Sequence, residues 1–281
     1  MGVYPPKPNA LVEIFGRPKV LIGTVHSLPL PGSPRYRGEP LEELVAFAVE
    51  EARRYRDGGF DGVIVENSGD LPFSKPEDIG LETAAAMAVL AEHVRGQVSI
   101  PVGVNVLANG VACSLAVAKA AGGRFVRANQ WVNAYVANEG LVEGPAPAAT
   151  RYRAWLHADD VRVFADVHVK HGSHAIVADR SLQAMTRDAE FFDADVLIAT
   201  GERTGGATEL SEIAGIRDST ALPVIVGSGV TIDNAAELLA ASDGAIVASW
   251  LKEEGVWWNP VAPGRVKRLA ALAADVWGSA A

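Results

Sequence analysis

The stretch Val224-Ile225-Val226-Gly227-Ser228-Gly229-Val230-Thr231, with its echo Gly244-Ala245-Ile246-Val247-Ala248-Ser249, decides the fold. Its first part is a short β-branched apolar run, the pattern of a parallel strand buried on both faces. The run passes through Gly-Ser-Gly into Thr231, which reads as the N-cap of an Ala/Leu helix ending near Ala241. Glycines at a strand-to-helix turn let backbone N–H groups approach an anion, and a helix N-terminus adds a favourable dipole. A second buried strand ends at Ala248 and Ser249. Paired turns after the last two strands are where (β/α)8 barrels commonly hold a phosphate. Gly227, Ser228, Gly229, Ala248 and Ser249 are therefore the expected phosphate-binding residues.

Outward from that stretch, the same strand pattern recurs at 19–26, 62–67, 101–106, 124–129, 161–168 and 195–200. Helical patterns at 41–57, 81–95, 111–121, to about 157, 181–192, 209–218, 231–241 and 264–276 follow the eight strands in turn. Such alternation is what successive right-handed βαβ units produce. The fold class expected is α/β, a single-domain (β/α)8 TIM barrel over 19–281, preceded by a loose, Pro-rich segment at 1–18. An open doubly wound sheet also alternates, but strand count, size and the late phosphate signal favour the barrel.

The 281-residue chain carries 25 basic and 34 acidic residues, a formal net charge of −9, which argues against nucleic acid as a partner. No apolar run reaches the ~18 residues of a membrane span, and the start has no apolar core of a signal peptide. The one cysteine, Cys113, lies in an Ala-rich helix and reads as a buried structural thiol. A cytoplasmic protein is expected, self-associating as a homo-oligomer, with no membrane insertion and a small phosphorylated compound as its ligand.

Polar residues at the strand ends obey one parity, since side chains two apart share a face. Thr24 pairs with His26, Ile64 with Glu66, and Arg127 with Asn129, while Asp166, His168 and Lys170 all face one way. Asn105 and Thr200 end their strands in the same manner. In a barrel these groups converge on the C-terminal mouth, where catalysis sits. Glu66 and Asp166 are candidates for general acid and base, and His26 and His168 for proton transfer near neutral pH. Lys170 is placed to hold a phosphate or carboxylate, or to form a Schiff base if its pKa is lowered. Glu66, Asp166 and His168, with His171, also make a loose divalent-metal set; no other cofactor is implied. His157 and His174 read as surface residues. Long loops at 26–38 and 66–73 and the polar segment 201–206 read as binding loops, which adds Asn67, Asp70, Thr204 and Gly205 to the substrate-binding candidates Asn105, Arg127, Asn129 and Thr200.

The chain resembles the BtpA/SgcQ family across nearly its whole length. The residues that carry the resemblance are Ile22-Gly23-Thr24-Val25-His26 with Pro29-Leu30-Pro31-Gly32-Ser33-Pro34, and Val65-Glu66-Asn67-Ser68-Gly69-Asp70-Leu71-Pro72-Phe73. Gly103-Val104-Asn105-Val106-Leu107, Arg127-Ala128-Asn129, Ala165-Asp166-Val167-His168-Val169-Lys170-His171, Thr204-Gly205 and Val226-Gly227-Ser228-Gly229-Val230 add to it. Ala248 departs from the glycine expected before Ser249 and places a methyl beside the anion site. The resemblance implies a TIM barrel similar to the ribulose-phosphate-binding group. One branch of the family is named for photosystem I accumulation in cyanobacteria; the other is linked to sugar uptake and labelled a nucleotide hydrolase. Two functions are thus expected in competition: acid–base chemistry on a phosphorylated sugar or nucleoside-like compound, as an isomerase, lyase or hydrolase, or a non-catalytic assembly factor for a membrane complex.

Overall fold

A computed structural model of the chain describes residues 7–201 and 208–278. A short helix, α1 (Ala10–Phe15), precedes strand β1 (Val20–His26) and helix α2 (Leu41–Asp57). Then come β2 (Gly62–Glu66), α3 (Leu81–Gln97), β3 (Val102–Asn105), α4 (Val111–Ala121) and β4 (Phe125–Ala128). A hairpin of β5 (Ala134–Ala137) and β6 (Gly140–Glu143) leads into α5 (Ala146–Trp155). The chain continues through β7 (Arg162–Asp166), α6 (Leu182–Phe191), β8 (Val196–Ala199), α7 (Leu210–Arg217) and β9 (Val224–Val226). It ends with α8 (Ala235–Ala241), β10 (Gly244–Val247) and α9 (Pro263–Gly278). All strands but the hairpin close a parallel barrel in the order β1-β10-β9-β8-β7-β4-β3-β2, the single-domain (β/α)8 fold the pattern predicts.

The period of two divides the apolar residues into two cores. Val25, Val65, Val104, Val126, Val163, Leu197, Val226 and Val247 face outward and pack against the helices. Ile22, Ile64, Phe125, Phe164, Ile198, Ile225 and Ile246 face inward and fill the barrel. Phe125 stacks on Phe164 at 4.5 Å between ring centroids. Gly103 makes room for that pair, because a Cβ there would stand 2.3 Å from the Phe125 ring.

The start of the chain differs from the expectation of a loose segment. Asn9 caps α1, its side chain accepting from the N–H groups of Leu11 (3.0 Å) and Val12 (3.2 Å), and Gly16 ends the helix at φ 71°. Ala10, Leu11 and Ile14 join the inward core. The lower end of a barrel otherwise exposes apolar side chains to water, and this one-and-a-half-turn plug covers them.

Three local expectations also change. Gly96 lies inside α3 rather than ending it. The hairpin was not legible because its strands are four residues each and half exposed, with no alternating apolar face. Thr231 does not cap α8; Asn234 occupies that position, three residues on. Its side chain spans the turn instead, accepting from Thr231 N–H at 2.8 Å and donating to the Gly229 carbonyl at 2.9 Å.

Candidate active site

Strand register brings the rim residues level. His26 lies opposite Glu66, and Glu66 opposite Asn105, on three adjacent strands. All three face inward, so they form one cluster. Glu66 Oε2 accepts from Asn105 Nδ2 at 2.6 Å, and its Oε1 accepts from Ser68 Oγ at 2.8 Å. His26 Nε2 is 3.8 Å from Glu66 Oε1. His26 Nδ1 lies 2.9 Å from the Trp257 carbonyl. A carbonyl only accepts, so the proton of the neutral ring sits on Nδ1 and Nε2 presents its lone pair toward Glu66. Burial lowers the His26 pKa, the Glu66 carboxylate pulls it up, and the Lys252 charge pushes it down again; the net direction is downward. The imidazole is thereby neutral and ready to take a proton.

A second cluster stands across the mouth. Arg127 Nε and Nη2 donate to Asp166 Oδ1 and Oδ2, each at 3.0 Å, in a buried bidentate pair. Burial works against the guanidinium charge, but Asp166 outweighs it and holds the Arg127 proton more tightly than usual. Burial likewise raises the Asp166 pKa against the pull of Arg127. With both oxygens occupied, Asp166 orients Arg127 and is not a free base. Half-buried Lys170 donates to Ser228 Oγ at 3.1 Å and has no carboxylate within 4.0 Å among the described residues. Burial and the neighbouring Arg127 charge lower its pKa to about 8, with Asp166 and Glu66 opposing.

Lys170 ties this cluster to the glycine turn after β9. Gly227 N–H continues the barrel ladder to the Ala199 carbonyl at 2.7 Å. A Cβ on Gly227 would come 2.4 Å from Ile198 Cγ2 and 3.1 Å from Arg127 Nη2, so the bare position also clears space for the guanidinium. Gly229 has φ 70°, a conformation that favours glycine. Ser228 is buried, and its carbonyl accepts from Thr208 Oγ1 at 3.1 Å. After β10, Ala248 leads into the 3-10 turn Ser249–Leu251. Among the described residues, no acceptor takes the backbone N–H groups of Gly229 and Ser249.

Other candidates serve the frame. Asn67 Oδ1 accepts from Leu107 N–H at 2.7 Å, Asn67 Nδ2 donates to Asp70 Oδ2 at 3.0 Å, and Asp70 Oδ1 accepts from Leu30 N–H at 2.8 Å. These two residues lock three rim loops together rather than facing a ligand. Thr200 Oγ1 donates to the His168 carbonyl at 2.8 Å, joining the ends of β7 and β8. The His168 ring packs 3.8 Å from that of His174, which in turn stacks on Tyr135 of the hairpin. His174 is thus part of a wall beside the mouth, not a surface residue. Glu66, Asp166 and His168 do not gather into a metal-ligand cluster among the described residues, since Asp166 is turned to Arg127. Thr204 and Gly205 lie outside the described residues. Cys113 is half-buried, and burial pushes its thiol up to about 11, which leaves it unreactive.

Asn105 is 1% exposed, yet among the described residues its Oδ1 has no hydrogen bond, and neither does Asn129 Oδ1. Two unfilled acceptors on the inward face suit the hydroxyl groups of a ligand. One feature went unseen in the sequence: the fully buried Lys252–Glu51 ion pair, its partners 201 residues apart, beneath a cavity of about 110 Å³ lined by His26, Ser27, Arg35, Trp257 and Trp258.

Fold and rim together define a parallel barrel with its polar groups gathered at one mouth, the arrangement of barrel enzymes. The chain belongs to the BtpA family, whose model matches residues 17–275. It is 39% identical over 260 residues to an uncharacterised protein of Pyrococcus abyssi, covering 92% of this chain and 98% of that one. It is 36% identical over 257 residues to the photosystem I biogenesis protein BtpA of Synechocystis, covering 91% and 88% respectively. Among solved structures, thiamine phosphate pyrophosphorylase from Pyrococcus furiosus aligns with a TM-score of 0.55 at 19% identity, covering 92% of this chain and 96% of that one. That likeness is one of fold. No helix among the described residues is long and apolar enough to cross a membrane.

Proposed function

We propose that the chain is a cytoplasmic enzyme that performs acid–base chemistry on a small phosphorylated sugar or nucleoside-like compound. The observation that carries this reading is the Lys170–Ser228 hydrogen bond of 3.1 Å, which sets a cation and a glycine turn on one rim of a mouth that also holds Glu66 and His26. The phosphate sits on the N–H groups of Gly229 and Ser249, beside the turn that Lys170 contacts. The sugar hydroxyls donate to Asn105 and Asn129. A neutral His26 takes a proton from the reacting carbon or hydroxyl, and Glu66 shares the charge that develops on the ring. Asp166 keeps Arg127 fixed and cationic, facing developing negative charge. The name of the P. furiosus neighbour, an enzyme of thiamine phosphate, agrees with a phosphorylated substrate.

The Synechocystis relative's name favours a competing role in assembling a membrane complex. Thermal melting with ribose 5-phosphate and other sugar phosphates separates the two. A ligand at 100 times its Kd stabilises the fold by about 2.7 kcal/mol, and an unchanged melting temperature across the panel at millimolar concentration counts against the enzyme. With a turned-over substrate in hand, Glu66→Gln should lower kcat by about 10²–10⁴-fold, the usual contribution of a positioned acid or base, with its melting temperature unchanged.

A further inference from the structure

Among the described amines, Lys170 and Lys252 lie beside the barrel mouth, and their surroundings differ. Lys252 is wholly buried against Glu51, so its charge is neutralised in place. Among the described residues, Lys170 donates only to the neutral hydroxyl of Ser228. Asp166, a carboxylate on its own face, is fully engaged by Arg127, and among the described residues the groups that bear on Lys170 electrostatically are Arg127, Asp166 and Glu66. An amine half-buried beside a guanidinium, with no anion in contact among the described residues, is the environment that makes a lysine nucleophilic.

We propose that Lys170 forms an imine with the substrate, and that the site accepts phosphorylated aldehydes and ketones, such as sugar phosphates in their open-chain form. The inference rests on the phosphorylated-substrate reading above. The Nζ lone pair attacks the carbonyl carbon, and the C=O π pair moves to oxygen. The proton lost by nitrogen goes to that oxygen through His26 or Glu66, and a second transfer releases the oxygen as water while C=N forms. The balance is amine plus carbonyl to imine plus water, with no oxidant or reductant. The imine then withdraws electrons from the adjacent carbon, where the acid–base pair works.

The pKa of about 8 strengthens the case: at pH 8 half of such a group is free amine, about 150-fold more than for an ordinary lysine at 10.5. The experiment is reductive trapping. Wild-type protein is incubated with ribose 5-phosphate or pyridoxal 5′-phosphate at pH 6–9, reduced with borohydride, and its adducts mapped by peptide mass. The expected result is one dominant adduct on Lys170. Its initial rate should rise about 50-fold from pH 6 to pH 8, the rise in free amine for a pKa of about 8. Inorganic phosphate should slow it, and Lys170→Arg should abolish it. Melting of the same wild-type samples with the same probes, without borohydride, keeps the two claims apart. Stabilisation without a Lys170 adduct, or with the adduct on Lys252, overturns the imine and leaves phosphate binding standing. Neither stabilisation nor adduct overturns both.

Discussion

Replacing Asp166 by Asn removes one charge from a pair in which both partners are buried, while keeping the side chain's shape. Arg127 sits 6% exposed and the Asp166 side chain 0% exposed, so water cannot take over the guanidinium. Removing one partner of a buried pair costs about 3–5 kcal/mol, chiefly through the uncompensated charge that remains. Asn keeps one accepting oxygen, so the lower end, about 3 kcal/mol, is expected. At about 2–4 °C per kcal/mol for domains somewhat smaller than this one, the melting temperature should fall by roughly 6–12 °C. Urea unfolding followed by circular dichroism gives the same quantity as a shift of midpoint at unchanged slope. The double variant Arg127→Met/Asp166→Leu should recover most of the loss, because an apolar pair of similar volume carries no desolvation cost. An Asp166→Asn protein melting within about 2 °C of wild type, less than about 1 kcal/mol, would refute the claim that this carboxylate serves to hold Arg127.

Other outcomes follow from the same geometry. Leu11→Ala empties part of the plug beneath the barrel and should cost about 2–5 kcal/mol in urea unfolding, as buried leucine truncations do; an effect under ~0.5 kcal/mol, the range of surface substitutions, would show that α1 does not cover the core. Gly227→Ala places a methyl against Ile198 and Arg127, so it should destabilise by about 1–3 kcal/mol and weaken phosphate binding together; a neutral melt contradicts the close approach. For His26 the folded pKa lies below the unfolded one, so the unfolded chain binds the extra proton first as pH falls. Its contribution is favourable at high pH and lost as pH drops through about 6.5 and below, the unfolded imidazole range. His26→Gln should therefore show a flatter loss of stability between pH 7 and pH 5 than wild type, by urea midpoints; parallel curves refute the burial argument.

The barrel was legible because most strands are short apolar runs rich in β-branched residues, alternating with helical patterns. The cluster of Glu66, His26 and Asn105 was legible through parity alone, since side chains two apart must share a face. Roles were harder. Asn67 and Asp70 look like ligand-binding polar residues in a loop, but their partners are backbone groups of Leu30 and Leu107, 40 residues away in either direction. Asp166 reads as a catalytic acid until Arg127, 39 residues earlier, is seen to take both its oxygens. The plug helix carried a readable signal, Asn9 before an amphipathic turn and Gly16 after it, which the neighbouring prolines obscured. Lys252 and Glu51 gave none, because they are 201 residues apart and each sits among other charges.

The central claim is that one mouth holds a phosphate on the Gly229 and Ser249 backbone while Glu66 and His26 face the carbon skeleton. Electron density from crystals soaked with ribose 5-phosphate tests it most directly. The account requires the phosphate within hydrogen-bond distance of the Gly229 and Ser249 N–H groups, with the sugar passing Lys170 and reaching toward Glu66 and Asn105. Sugar phosphate bound elsewhere on the molecule, with this mouth holding only water, contradicts it.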